Sequence, residues 1–216
     1  MPERRSLTPT ALRILDAADR LLGRFGFRRM TIDDLAKEAG IGKGTVYLSF
    51  RSKEDVALAC IDRMVRDLLA ALESIAREDR PAPERLHRML VLRVVHRFDY
   101  ARHHHESIDE LLAALRPRLL ERRAQHFAAE TRVLAAVVAQ GTGAGTLTAR
   151  SPRATAEAMV LATNALLPYS LGVRELGRRA EIVRRAARVA DLVLHGVIAA
   201  PSGARKSRTT GVHDVH

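Results

Sequence analysis

The chain has no tryptophan, one cysteine and only 4% aromatic residues. A single cysteine closes no internal disulfide, so a reducing cytoplasm is the expected location. That cysteine, Cys60, stands among Val56, Ala57, Ala59 and Ile61, which reads as a small core residue. There is no run of about 18 uncharged apolar residues, so no membrane helix is expected. The opening Met-Pro-Glu-Arg-Arg-Ser has no apolar stretch of the secretory kind. Enzyme signatures are missing as well: no GxGxxG on a strand, no P-loop, no HExxH and no GxSxG. The expectation is a protein that is not an enzyme and carries no cofactor. Turn signals are sparse while apolar residues recur at helical spacing, which predicts an all-α fold. With 216 residues, 47% hydrophobic and 28% charged, the chain can bury a core as a soluble globular protein.

The net charge is +11, which invites a nucleic-acid reading but does not carry it. Residues 1–53 hold eleven Lys/Arg against six Asp/Glu, and the rest holds 25 against 19, so the excess is spread along the whole chain. Only Lys37, Lys43, Lys53 and Lys206 are lysines. An arginine bias of that breadth can reflect genome composition.

Residues 1–8 form a basic arm with Arg4 and Arg5. Thr8-Pro9 predicts a helix start, with Thr8 as N-cap and Pro9 in the first turn. Leu12, Leu15, Ala18, Leu22 and Phe25 make its apolar stripe, and Gly26 fits a left-handed C-terminal stop. Thr31-Ile-Asp-Asp34 resembles a capping box opening a second helix that ends at Gly40. Only Ile41 and Gly42 separate it from a third, anchored inward by Val46 and Phe50. Ser52 caps a long fourth helix. Further helices are predicted at 83–101, 103–115 and 117–140, then from Ser151-Pro152 to about Gly172 and from Glu175 to Val197, about nine in all. The domain reading is an arm and helix-turn-helix at 1–53, a helical effector-binding and dimerising body at 54–200, and a disordered basic tail at 201–216.

Two short helices joined by a tight glycine-containing turn are the helix-turn-helix pattern. Val46 and Phe50 hold the second of them to the core, leaving Lys43, Thr45, Tyr47 and Leu48 outward, a set suited to the major groove. Gly44 costs about 1 kcal/mol relative to alanine inside a helix, which close approach of the backbone to DNA explains. Thr31 at a helix N-terminus and Lys53 near the next suit phosphates. The same spacing also fits an ordinary helical hairpin with a solvated face.

The stretch from Met30 to Val56 resembles the TetR (tetracycline-repressor) family, and Ile14–Ala18 with Phe25–Phe27 match its first helix and turn. The resemblance covers about the first quarter of the chain. It implies an all-helical homodimer with three N-terminal DNA-binding helices and a ligand-responsive, dimerising body. It also implies DNA-contacting roles for Thr31, Lys43, Gly44, Thr45, Tyr47 and Lys53. Two positions depart from the family pattern. Gly42 replaces the usual Ser or Thr, removing a side-chain cap. Leu48 replaces a polar residue, leaving contact with a thymine methyl as its way to read DNA. The implied function is a repressor held on a palindromic operator of double-stranded DNA and released by a small effector; an activator is the alternative of opposite sign.

In the body, His96, Asp99, His103 and Glu106 share a face if the segment stays helical. They could serve a metal-responsive regulator, but a solvated face or a helix corner explains them as well, and no metal is assigned. Leu111, Leu112, Leu115, Val133, Val137, Met159, Leu161, Leu166 and Leu167 suggest a pocket for a hydrophobic or amphipathic effector. His96, Tyr100, His103, Asn164 and Tyr169 are its candidate polar contacts, although Asn164 and Tyr169 fit cross-helix packing equally. Small residues at Ala154, Ala158, Ala162 and Ala165, and the face of Val183, Ala187, Ala190, Val193 and Leu194, mark the last two helices as the dimer candidates.

Overall fold

The computed structural model describes residues 7–167 and 177–198, without the side chains of 105–109 and 112. The fold is all-α. Among the described residues there are eight α-helices and one short 3-10 turn: α1 Pro9–Arg29, α2 Ile32–Ala39, α3 Lys43–Ser49, α4 Lys53–Ala76, α5 Ala82–His103, α6 His105–Gly143, α7 Pro152–Thr163, the turn Asn164–Leu166, and α8 Arg179–His195. No described helix is long and apolar enough to cross a membrane.

The starts follow from local chemistry. The hydroxyls of Thr8, Thr31, Ser52 and Ser151 accept from the backbone N–H three residues on, filling donors that a helix N-terminus leaves open. Asp34 returns the bond to the Thr31 N–H and completes a capping box. Gly40 closes α2 in the left-handed conformation (φ 63°, ψ 41°), which lets the chain turn within two residues into α3.

Longer-range packing moves several predicted boundaries. Gly26 breaks the helical path of α1 at positive φ as expected (φ 80°, ψ 168°), and one further turn runs on to Arg29 with Phe27 buried. The helices expected at 103–115 and 117–140 are one 39-residue helix, α6, with Pro117 inside it. An interior proline costs about 3 kcal/mol; Leu111, Leu115 and Leu119 flank it on one buried stripe and hold the helix together. α7 stops at Thr163 rather than near Gly172. Leu167 is extended (φ −88°, ψ 152°), as suits the residue before Pro168. α8 spans Arg179–His195, inside the expected 175–197.

Three apolar clusters form among the described residues: a head core, a body core, and a smaller one of Val94, Phe98 and Ala101 of α5 with Leu167 and with Ile182 and Ala186 of α8. The head core joins Ile14, Leu15, Leu22, Leu35 and Val46 of α1–α3 to Val56, Ile61 and Val65 of α4 and to Leu111, Leu115 and Leu119 of α6. The body core joins Leu68 and Leu72 of α4, Leu86 and Leu90 of α5, Leu134 and Val137 of α6, Met159 of α7 and Leu194 of α8. α4 and α6 therefore each pass from one core into the other. At 1.5 Å per residue α6 is about 58 Å long. Leu111 and Leu115, expected in a body pocket, belong to the head core, and Leu161, expected there too, is 60% exposed. Inward packing of the first pair and outward projection of the last follow from which neighbours each helix meets.

Candidate nucleic-acid interface

α3 is attached through Val46, which is fully buried, with Phe50 half-buried behind it. Lys43, Gly44, Tyr47 and Leu48 are all exposed, and their spacing of one, three and four residues puts them on one face. Thr45 is half-buried beside them. Gly42 caps α3 without a side-chain hydrogen bond, so the departure noted in the sequence has the local consequence expected of it.

Several of these groups are committed within the free protein. Lys43 Nζ lies 2.9 Å from Asp33 Oδ2, an exposed pair that raises the ammonium above its ordinary value. Such a pair contributes little to stability and exchanges readily. The Thr31 hydroxyl donates to Asp34 at 2.7 Å while accepting from its N–H. Those bonds hold the Asp34 carboxyl below its ordinary value.

Lys53 Nζ reaches the carbonyl oxygens of Phe27, Arg28 and Met30 at 3.2, 3.2 and 3.3 Å and lies 4.8 Å from the Phe27 ring centroid. It thus satisfies the open carbonyls at the end of α1. Lys53→Met is expected to lower the stability of the protein by about 1–2 kcal/mol through these charge-assisted bonds. A urea melt unchanged to within a few tenths of a kcal/mol would contradict that role.

The candidate ligand residues of the body are dispersed. His96 Nε2 lies 3.1 Å from the Met64 carbonyl. Asp99 is gripped by Arg179, with three contacts of 2.8–3.1 Å. Tyr100 is half-buried, and desolvation pushes its phenol well above the ordinary value. His103 is exposed and meets His104 edge-on at 4.8 Å. Asn164 accepts from Arg93 at 2.7 Å. Tyr169 and the Glu106 side chain lie outside the described residues. Among the described residues no group of three or more His, Cys, Asp or Glu could hold a metal ion.

Two polar clusters went unread in the sequence. Arg93 and Arg97 of α5, fully or almost fully buried, both pair with the fully buried Glu130 of α6, each with a 2.5 Å contact. Arg93 also donates to Thr163 at 2.5 Å, so the network binds α5 and α6 to α7. The signal was periodic: Leu86, Met89, Leu90, Arg93, Val94, Arg97 and Ala101 are one buried stripe. The second cluster joins head to body. Arg63 of α4 pairs with Asp16, at 2.6 Å, and with Asp19 of α1. The buried His104, at the α5–α6 corner, places Nδ1 2.9 Å from the Tyr100 carbonyl and Nε2 3.5 Å from Asp19 Oδ1. Burial alone would raise the Asp19 carboxyl, but His104 and Arg63 hold it below its ordinary value. Cys60 packs beside them, and burial pushes its thiol well above the ordinary value, in keeping with an inert core residue.

Residues 14–60 match the family described as bacterial regulatory proteins, tetR family. Over 78 residues the chain is 30% identical to the fatty acid metabolism regulator protein of Bacillus subtilis, covering 36% of this chain and 40% of that one. Over 65 residues it is 43% identical to the HTH-type transcriptional regulator EthR of Mycobacterium tuberculosis, 30% of each chain. Such matches span less than half the length of these curated relatives. The fold carries the likeness further. A crystal structure of a transcriptional regulator from Cytophaga hutchinsonii superposes with a TM-score of 0.73 at 19% identity, over 86% of this chain and 97% of that one. Sequence likeness to the tetR family of bacterial regulatory proteins covers the head, residues 14–60, and likeness of fold to a solved transcriptional regulator extends through the body.

Proposed function

We propose that the protein is a DNA-binding transcriptional regulator, not an enzyme, that acts as a homodimeric repressor on a palindromic operator and is released by a small hydrophobic or amphipathic effector. The observation that carries the DNA reading is the exposed Lys43, Gly44, Tyr47 and Leu48 face of α3, held by a buried Val46 behind a two-residue turn. A short helix fixed on one side and bare on the other is what insertion into a major groove requires. The repressor mode and the effector rest on the family resemblance and on the two shared helices: a ligand that displaces α4 or α6 in the body core displaces part of the head core.

The homodimer is supported by an exposed apolar face on α7 and the turn after it, where Ala154, Ala158, Leu161 and Ala162, and then Ala165, all lie open. On α8, Leu192 is 77% exposed, whereas Ala190 and Leu194 of the expected face are buried in the body core. Small residues at helical spacing permit close approach of a partner helix, and a two-fold pair of heads sets the half-site spacing of a palindrome, roughly 34 Å per helical turn.

The test is binding to duplex DNA from beside the protein's own gene, titrated with salt. Affinity should fall steeply as salt rises, and Lys43→Ala should reduce the log–log slope by about one unit as one phosphate contact is lost. An unchanged slope would remove the phosphate role of Lys43; no protected site on any duplex would remove the function. A reporter under the footprinted operator gives the sign: transcription should rise when the protein is deleted, and a fall would make it an activator.

A further inference from the structure

The turn between α2 and α3 sets where α3 points, and α3 supplies little of its own to fix it. Gly42 caps α3 with backbone alone. Its carbonyl accepts from the Thr45 N–H at 3.0 Å and the Val46 N–H at 3.3 Å, and no side-chain bond adds to them. On the other side of the turn, the N–H groups of Gly40 and Ile41 return to the carbonyls of Lys37 and Ala36, at 3.2 and 3.0 Å, and close α2. The Ala39 carbonyl is left over: no backbone N–H among the described residues donates to it. Arg13 of α1 meets it. The Arg13 Nη2 donates to the Ala39 oxygen at 2.7 Å and lies 3.5 Å from that of Gly40. A guanidinium placed there also faces the negative end of the α2 dipole. Two turns further along α1, Arg20 meets Glu38 at 2.6 Å. α1 therefore grips the last residues of α2 from both of these arginines.

We infer that Arg13 is a positioning residue for DNA reading: it pins the turn from α1 and so fixes the angle of α3, a task that no side chain at residue 42 shares. This rests on the DNA-binding reading above. Arg13 is exposed, and an exposed guanidinium in a DNA-binding head invites assignment to a phosphate. Its bond to Ala39 gives it the other role. The donor is spent inside the head, so its loss loosens the turn without removing a phosphate contact. Ile14 and Leu15 beside it are fully buried, so the stripe that holds α1 to the head core is separate from Arg13.

The experiment uses the full-length protein and duplexes that the wild type selects from a random library. Arg13→Met should lower affinity about tenfold, the worth of one charge-assisted bond, and leave the log–log salt slope unchanged. Arg13→Lys, which keeps a charged donor, should retain most of the affinity. A Cβ at residue 42 would meet Thr45 Oγ1 at 3.9 Å, an ordinary contact, so the position accepts serine. Gly42→Ser should be near neutral in the wild type and recover about twofold in Arg13→Met, because a serine cap is only slightly better than glycine and counts only once the turn is loose. Hydrogen exchange reads the same loosening without DNA: the Thr45 and Val46 amides should exchange about tenfold faster in Arg13→Met, with those of α4 unchanged. A salt slope lowered by about one unit would make Arg13 a phosphate ligand and overturn the inference. Unchanged exchange at Thr45 and Val46, an equal loss in Arg13→Lys and Arg13→Met, an equal effect of Gly42→Ser in both backgrounds, or global unfolding of Arg13→Met would each overturn it too. Should the wild type enrich no duplex, the DNA-binding reading falls, and the exchange rates still decide whether Arg13 holds the turn.

Discussion

Glu130→Ala should lower the unfolding free energy by about 3–5 kcal/mol, a large part of the roughly 5–15 kcal/mol that holds a domain together. Glu130 is fully buried and faces the guanidinium groups of Arg93 and Arg97. Removing it takes away the carboxylate the two buried guanidinium groups share, leaving the Thr163 hydroxyl, the Asn164 side chain and the Phe127 ring at Arg93 and the Arg93 carbonyl at Arg97. The cost is that of stranding charge rather than the net worth of the pairs. Replacing all three partners by apolar residues of similar volume should therefore cost far less than the single change, and Glu130→Gln, which keeps an acceptor, should fall between. Urea denaturation followed by circular dichroism orders the three variants. A Glu130→Ala midpoint close to wild type would mean that water reaches the network and that the burial argument fails.

Leu161→Glu with Leu192→Glu should convert a dimer into a folded monomer and cut operator affinity by at least a hundredfold. Linking two reading heads makes the second contact intramolecular, and that advantage is worth 10²–10⁴ in affinity. Both leucines are exposed, 60% and 77%, so their loss takes little from either core and the thermal melt of the secondary structure should persist. Sedimentation gives the mass and a footprint gives the affinity. A variant that stays dimeric would move the interface elsewhere; a wild type that is monomeric yet protects a palindrome would remove the need for one.

The predictions that held were the local ones. Thr8, Thr31, Ser52 and Ser151 cap as their sequences indicate because a cap is decided within three residues. Gly40 and the bare face of α3 were legible for the same reason, since the turn leaves α3 few ways to attach. Boundaries that depend on distant partners were not. Pro117 reads as a helix start until the burial of Leu111, Leu115 and Leu119 is known. Arg93 and Arg97 sit in register with the apolar stripe of α5, but nothing in that register announces that Glu130, 37 and 33 residues away, will meet them. Lys53 shows the reverse case: a position read for a phosphate lies within reach of the carbonyls of Phe27, Arg28 and Met30, from a helix end that the kink at Gly26 had hidden.

The route of α4 and α6 through both cores bears on how such a protein can be taken apart. The proposed reading surface lies on α3, yet the apolar floor beneath the head includes Val56, Ile61, Val65, Leu111, Leu115 and Leu119. Cut at residue 53, the reading end would expose that floor to water; fused to a foreign scaffold, it would need a replacement for two helices and not one. The reading surface is therefore not a transplantable cassette. Exchange of this end between relatives must carry the first half of α6 with it, because Leu111, Leu115 and Leu119 belong as much to the head core as to their own helix.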